Sequence, residues 1–355
     1  MNSEINDKRV KKDFSKVSFS GYKKTSVKKQ LIQSILNNRV EPSNYWAAEM
    51  ICAGHFLDLW EIIIMISTKH IHFGNPKLPI FLDIRINEFK NILLDGYVDN
   101  ELKLRNNKII RTMFSEIISI LVFSQKKHSY DVYKIQQSDF DLTEIKFRLK
   151  ADSLKYAEKV FQKDDAKEIF IAANELAYSI SNRNIHKNSS DACYWIDWIL
   201  EFIKISKSKK QEIFCERRCT MPVSEKFQRD PIWIVWEILI IESDNISPIV
   251  KKIVHKLLSM FCLHYSSGVK KRRRYILYFI VSLLTETIDY TLPIQNNSEI
   301  ITKIKDSINF IYKEIKKNEK VPDTEYLFNG IKRKSNLDKT LEKLDKLKTV
   351  GFLPQ

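Results

Sequence analysis

Apolar side chains recur every three to four residues through most of this chain, the period of helices with one buried face. Val27, Leu31, Ile32, Ile35 and Leu36 set the first repeat, with Thr25 or Ser26 as its cap and Asn37-Asn38 as its end. Pro42 and Ser43 open a second helix, where Ser43 is placed to accept from the first-turn amides and Gly54 stops or bends the segment. Residues 57–70 are apolar almost all round, which predicts a helix at the centre of its domain. Gly74-Asn75-Pro76 breaks it. Residues 78–94 and 104–124 give two more helices, the latter with Ile109, Ile110, Met113, Phe114, Ile117 and Ile118 on its buried face.

The pattern weakens between Gln125 and Leu142, then predicts helices over 143–161 and 166–181. Tyr194, Trp195, Trp198, Ile199 and Phe202 form an aromatic stripe on one helix face, and residues 206–230 are polar and irregular. After Pro231 comes an apolar helix with Trp233 and Trp236, then one that Ser247-Pro248 opens, then the apolar run from Tyr275 to Leu284. Leu337, Leu341, Leu344 and Leu347 lie on one face of a last amphipathic helix.

These elements predict an all-α fold of two helical units, built as bundles or stacked hairpins. Residues 1–25 read as a flexible basic arm, 26–125 as the first unit and 126–142 as a connection. Residues 143–330 read as the second unit, and 331–355 as the amphipathic helix and tail. The units look related: Tyr45-Trp46 followed by Trp60-Glu61-Ile62 parallels Tyr194-Trp195 followed by Trp236-Glu237-Ile238, an internal duplication with a longer loop in the second copy.

Composition sharpens this in three ways. With 7 Gly and 9 Pro in 355 residues, folds that spend glycine on tight turns and phosphate loops are disfavoured. A net charge of +15 attracts polyanions, although the abundance of Lys, Asn and Ile is also what an AT-rich genome produces. Five scattered cysteines fit a reducing compartment. The polar, lysine-rich N-terminus shows no secretory signal, and no apolar run reaches the ~18 residues of a membrane span. The expected setting is therefore intracellular, in the cytoplasm or the nucleus, with no membrane partner.

Motifs for common chemistry are missing. There is no P-loop, no Gly-x-Gly-x-x-Gly, no Gly-x-Ser-x-Gly elbow and no His-Glu-x-x-His helix. Cys215 and Cys219 are spaced i, i+4, but Cys193 and Cys262 are not local to them, which is poor spacing for zinc. His70 and His72 point to different faces of a helix. Glu49, Glu61 and Glu237 stand alone among apolar residues, and each needs an Arg, a Lys or a helix N-terminus as partner. No metal, cofactor or catalytic residue is expected.

The sharpest local feature is Lys270, Lys271, Arg272, Arg273 and Arg274. Five cations at a helix start oppose its dipole, so something must compensate. Nucleic-acid phosphates would, which makes these residues the candidate nucleic-acid-binding site; a nuclear import signal, an acidic protein patch or a solvated turn are the alternatives. Trp195, Trp198, Trp233 and Trp236 could stack bases or anchor a partner, and their i, i+3 spacing among Ile and Leu equally suits a core.

Tyr45-Trp46, Met50, Ala53-Gly54, Ile62-Ile63, Ser67, Ile71 and Gly74-Asn75-Pro76 resemble the post-ATPase helical region of RarA-type clamp-loader-related ATPases over residues 44–80. The nucleotide domain of that family is missing. The resemblance implies a helical collar or oligomerisation element near replication machinery, hence a homo-oligomer. The Tyr-Trp and Trp-Glu-Ile patterns and the Lys/Asn/Ile bias also resemble uncharacterised helical proteins of large nucleocytoplasmic DNA viruses. The functional expectation is a non-catalytic scaffold or accessory subunit in viral nucleic-acid metabolism, with a protein partner and phosphate contacts. The alternative is a protein-interaction module in translation or virion assembly.

Overall fold

The computed structural model describes residues 3–95, 100–181 and 187–321. Its first half runs through α1 (Lys24–Leu36), α2 (Val40–Cys52), α3 (Phe56–Ile66), α4 (Leu78–Leu94), α5 (Glu101–Asn106) and α6 (Lys108–Phe123). The hairpin of α1 and α2 packs on α6. Gly54 ends α2 at a φ of +72°, a conformation that costs other residues. Two details differ from the sequence reading. Ser43 lies inside α2, where its hydroxyl donates to the Arg39 carbonyl, because the helix already begins at Val40 and tolerates Pro42 in its first turn. Ile109 is exposed, because Asn107 caps a new helix by accepting from Ile110 N at 3.0 Å and rotates Ile109 to the solvent side.

Residues 126–142 cross the second half as an anchored strap. Lys127 N donates to His70 O at 2.7 Å, and the Tyr130 hydroxyl to Ser282 Oγ at 2.9 Å. The helix expected over 143–161 does not form beyond the single turn α7 (Leu142–Ile145). The amides of Lys150 and Ala151 donate to Glu175, and those of Tyr156 and Ala157 to Asn174. Both acceptors stand on α8 (Phe170–Ile180), so these amides are satisfied outside any helix of their own.

The second half continues with α9 (Ser189–Ser208), α10 (Ile232–Asp244), α11 (Pro248–Cys262), α12 (Val269–Arg272) and α13 (Arg274–Thr285). Here α8 and α9 form the hairpin and α13 packs on α9, so the order of elements matches that of α1 to α6. The last helices, α14 (Ser298–Ser307) and α15 (Asn309–Lys316), return to the first half and pack on α6 and α2. Residues 298–316, assigned by their position in sequence to the second unit, thus pack against the first half. A single cluster of buried apolar residues runs from Ile5 to Ile315, and Lys256 on α11 pairs with buried Asp83 on α4 at 2.8 Å.

The stretch read as a flexible arm is packed from Ser3 onwards. Ile5, Phe14 and Phe19 are buried, Lys8 N donates to Lys320 O at 2.8 Å, and the Arg9 guanidinium sits 4.7 Å from both phenylalanine ring centres while bound to Asp7. Three apolar anchors and this ion pair offset the ordering entropy that the charge pattern alone could not. Among the described residues there is no strand, only one antiparallel bridge between Val17 and Lys23. No helix among them is long and apolar enough to cross a membrane. The amphipathic segment of residues 331–355 lies outside the described residues.

Candidate functional site

Five consecutive cations force the question of what surrounds them. The chain meets it by breaking the helix at Arg273, between α12 and α13, which sends neighbouring side chains in different directions. Lys270, 8% exposed, reaches Asp230 at 2.7 Å, and Asp230 also accepts from the Tyr265 hydroxyl and from Ile232 N at the start of α10. Lys271 pairs with Glu201 at 2.6 Å. Arg274 pairs with buried Asp197 at 2.7 Å, which accepts as well from the Tyr278 hydroxyl and from Tyr133 N. Burial pushes the Asp197 carboxyl up, with Tyr278 and Arg274 opposing that shift.

Arg273 spans the two halves. Its guanidinium donates to Phe261 O and Leu263 O at 2.7 and 2.6 Å, closing the C-terminal end of α11, and to Glu61 Oε1 on α3 at 2.5 Å. Only Arg272 of the five is exposed. The run therefore makes no continuous basic surface: internal carboxylates supply the compensation that the sequence reading gave to phosphates. A cation so engaged would leave its carboxylate unpaired if it turned outward, at the greatest cost for buried Asp197.

The lone glutamates are answered in kind. Glu237 on α10 binds Arg218 at 2.7 Å, and Arg218 also takes both oxygens of Asp165 at 2.9 and 2.7 Å and the carbonyls of Val160 and Glu216. All five guanidinium protons are used. Burial opposes the charge on Arg218, but its hydrogen bonds with Asp165 and Glu237 outweigh it and hold the group above its ordinary value. Glu49 pairs with no cation among the described residues; it accepts from Ser20 N at 3.0 Å, from the Ser20 hydroxyl and from Tyr45.

Trp195, Trp198, Trp233 and Trp236 are all buried, so the aromatic stripe is core. Cys215 is buried with its thiol on Asp230 O, Cys219 is exposed, and no group of three metal-ligating side chains occurs among the described residues. His72 is fully buried against Tyr130, its Nε2 lies 2.8 Å from His128 O, and burial pushes its imidazole down to about 4.

Two surfaces remain. Where the termini meet, Lys8, Arg9, Asp13, Val17, Phe19, Ser20, Gly21, Asn318 and Lys320 line an open cleft of about 690 Å³. Lys12, Lys16, Lys23 and Lys29 are exposed on the same segment, with no ion pair among the described residues. The packed N-terminal stretch thus displays the positive charge that residues 270–274 hide. Beside α10, two cavities of about 350 and 370 Å³ share Lys159, Val160 and Ile241; Met221, Ile240 and Leu258 give the second an apolar wall, while Lys155, Ser181, Glu242 and Asn245 line the first. No protein-family model matches the chain, and no curated protein or solved structure matches it either.

Proposed function

We propose that this chain is a non-catalytic helical scaffold or accessory subunit in viral nucleic-acid metabolism, and that its phosphate-contacting face is the terminal one. The observation that carries this reading is the contrast between exposed Lys12, Lys16 and Lys23 and the internally paired cations at Lys270, Lys271, Arg273 and Arg274. Free cations on a packed surface release counterions when they meet phosphate, whereas paired ones must first break a bond. The viral setting rests on the resemblance of the Tyr-Trp and Trp-Glu-Ile patterns and of the Lys/Asn/Ile bias. The matching order of elements in the two halves supports an internal duplication as the origin of the architecture.

The test is fluorescence anisotropy with a labelled oligonucleotide across a salt series. Affinity falls steeply as salt rises from about 50 to 200 mM. Changing Lys12, Lys16 and Lys23 together to Gln lowers the salt slope by about 2–3, while Arg272→Gln lowers it by at most about 1. An equal or greater effect at Arg272 overturns the assignment. The second reading, a protein-interaction module, is favoured by the apolar wall of Met221, Ile240 and Leu258 beside α10, with Ile241 37% exposed at its edge. A chain with no salt-dependent affinity for nucleic acid supports that reading instead.

A further inference from the structure

Of the six tryptophans, Trp60, Trp195, Trp198, Trp233 and Trp236 are at most 4% exposed, and Trp46 alone is partly open to solvent. It stands on α2 beside the loop of residues 17–23, which the Val17–Lys23 bridge closes and which turns at Gly21 with a φ of +85°. That turn presents Tyr22, 49% exposed, with its ring 5.6 Å from Trp46 at an angle of 78°. Tyr45 packs on Trp46 from α2 at 5.2 Å and 84°. Neither neighbour stacks face to face on the indole. The loop is fixed to α2 from below, since the Ser20 amide and the Ser20 hydroxyl both donate to buried Glu49.

Lysines flank this aromatic group along the chain. Lys23 follows Tyr22 directly, Lys24 N donates to Lys16 O at 2.9 Å, and Ser20 and Gly21 line the same cleft as Lys8 and Lys320. The nearby carboxylates are Asp58, which pairs with Lys24 and Lys28 and leaves Lys23 out; Asp13, whose Oδ2 accepts from Val10 N; Glu49, buried under Ser20; and Glu41, exposed one turn before Tyr45. Exposed rings interleaved with lysines are the arrangement that holds unpaired bases by their faces and the backbone by its charge. A duplex offers such rings only the edges of its bases, because the faces are already stacked on one another.

We infer that the loop at Tyr22 and the α2 residue Trp46 form a stacking platform for single-stranded nucleic acid, with Lys12, Lys16 and Lys23 on its phosphates. This rests on the phosphate-contacting reading of the terminal face. The experiment is a fluorescence titration of the full chain at low salt with an oligothymidylate and with a duplex of equal length. Trp46 is the tryptophan that solvent reaches, so it is the one whose emission a bound base quenches.

The single strand binds at least about tenfold more tightly than the duplex and quenches emission, and Trp46→Phe removes the quenching. Tyr22→Ser, at a position half open to solvent and hence safe for folding, weakens single-strand binding about 5- to 100-fold and leaves the salt slope unchanged. Equal affinity for the duplex, or a silent Tyr22→Ser, overturns the stacking platform. If the lysine variant still lowers the salt slope in that case, phosphate contact at this face survives. No salt-dependent binding of either probe overturns both.

Discussion

Trp60-Glu61 on α3 and Trp236-Glu237 on α10 carry the same two residues into different surroundings. Both indole rings are buried with Nε1 lacking a protein acceptor, and both glutamates take an arginine. The arginines differ in origin. Arg218 comes from the irregular stretch just before α10, and with Asp165 and Glu237 it staples that stretch within one half. Arg273 comes from the far half, 212 residues from Glu61, and also closes α11. One motif thus serves as a local anchor in one place and as a joint between halves in the other. A pattern of residue types fixes the need for a partner and leaves the partner's address open.

The strongest way to break the parallel is Arg218→Ala. It strands the carboxylates of Asp165 and Glu237 together, and the expected cost is about 3–5 kcal/mol, read as a lower urea midpoint. A loss under about 1 kcal/mol would show that the cluster is not a staple. Acid separates the halves next. The chain leaving α3 carries His72, while the chain leaving α10 has Asn245-Ile246.

Folded His72 stays neutral down to about 4, whereas in the unfolded chain it binds its proton near the ordinary 6.5. The unfolded state therefore gains protons first, and stability falls as pH drops from 6.5 towards 4 before levelling. The loss is roughly 3 kcal/mol from this one group. His72→Asn flattens that limb when urea midpoints are taken across the pH range. An unchanged limb would assign the acid sensitivity elsewhere.

Much of the helical order was legible because apolar period and punctuation agree: α4 spans Leu78–Leu94 as read, and Gly54 and Pro248 stand at helix boundaries. The demand of Glu61 and Glu237 for a cation was legible too. What failed depends on distance along the chain. The partners of Lys270, Lys271 and Arg274 lie 40, 70 and 77 residues away, and no local window connects them. A signal did exist: Asp197, Glu201 and Asp230 each sit in or beside an apolar helix and required cations of their own. The absent helix over 143–161 failed for a related reason, since Asn174 and Glu175 capture its amides from another element. Conversely, residues 1–25 looked too polar to pack, because three apolar anchors and one arginine between two rings are weak as a pattern and sufficient as contacts.

The joint between the halves is best tested by a double-mutant cycle on Glu61→Gln and Arg273→Gln, followed by urea unfolding. Residues in direct ionic contact should show a coupling of about 1–3 kcal/mol, so that the double variant costs clearly less than the sum of the singles. Additivity within about 0.3 kcal/mol would mean that Arg273 is not held by Glu61 and that this ion pair does not join the halves.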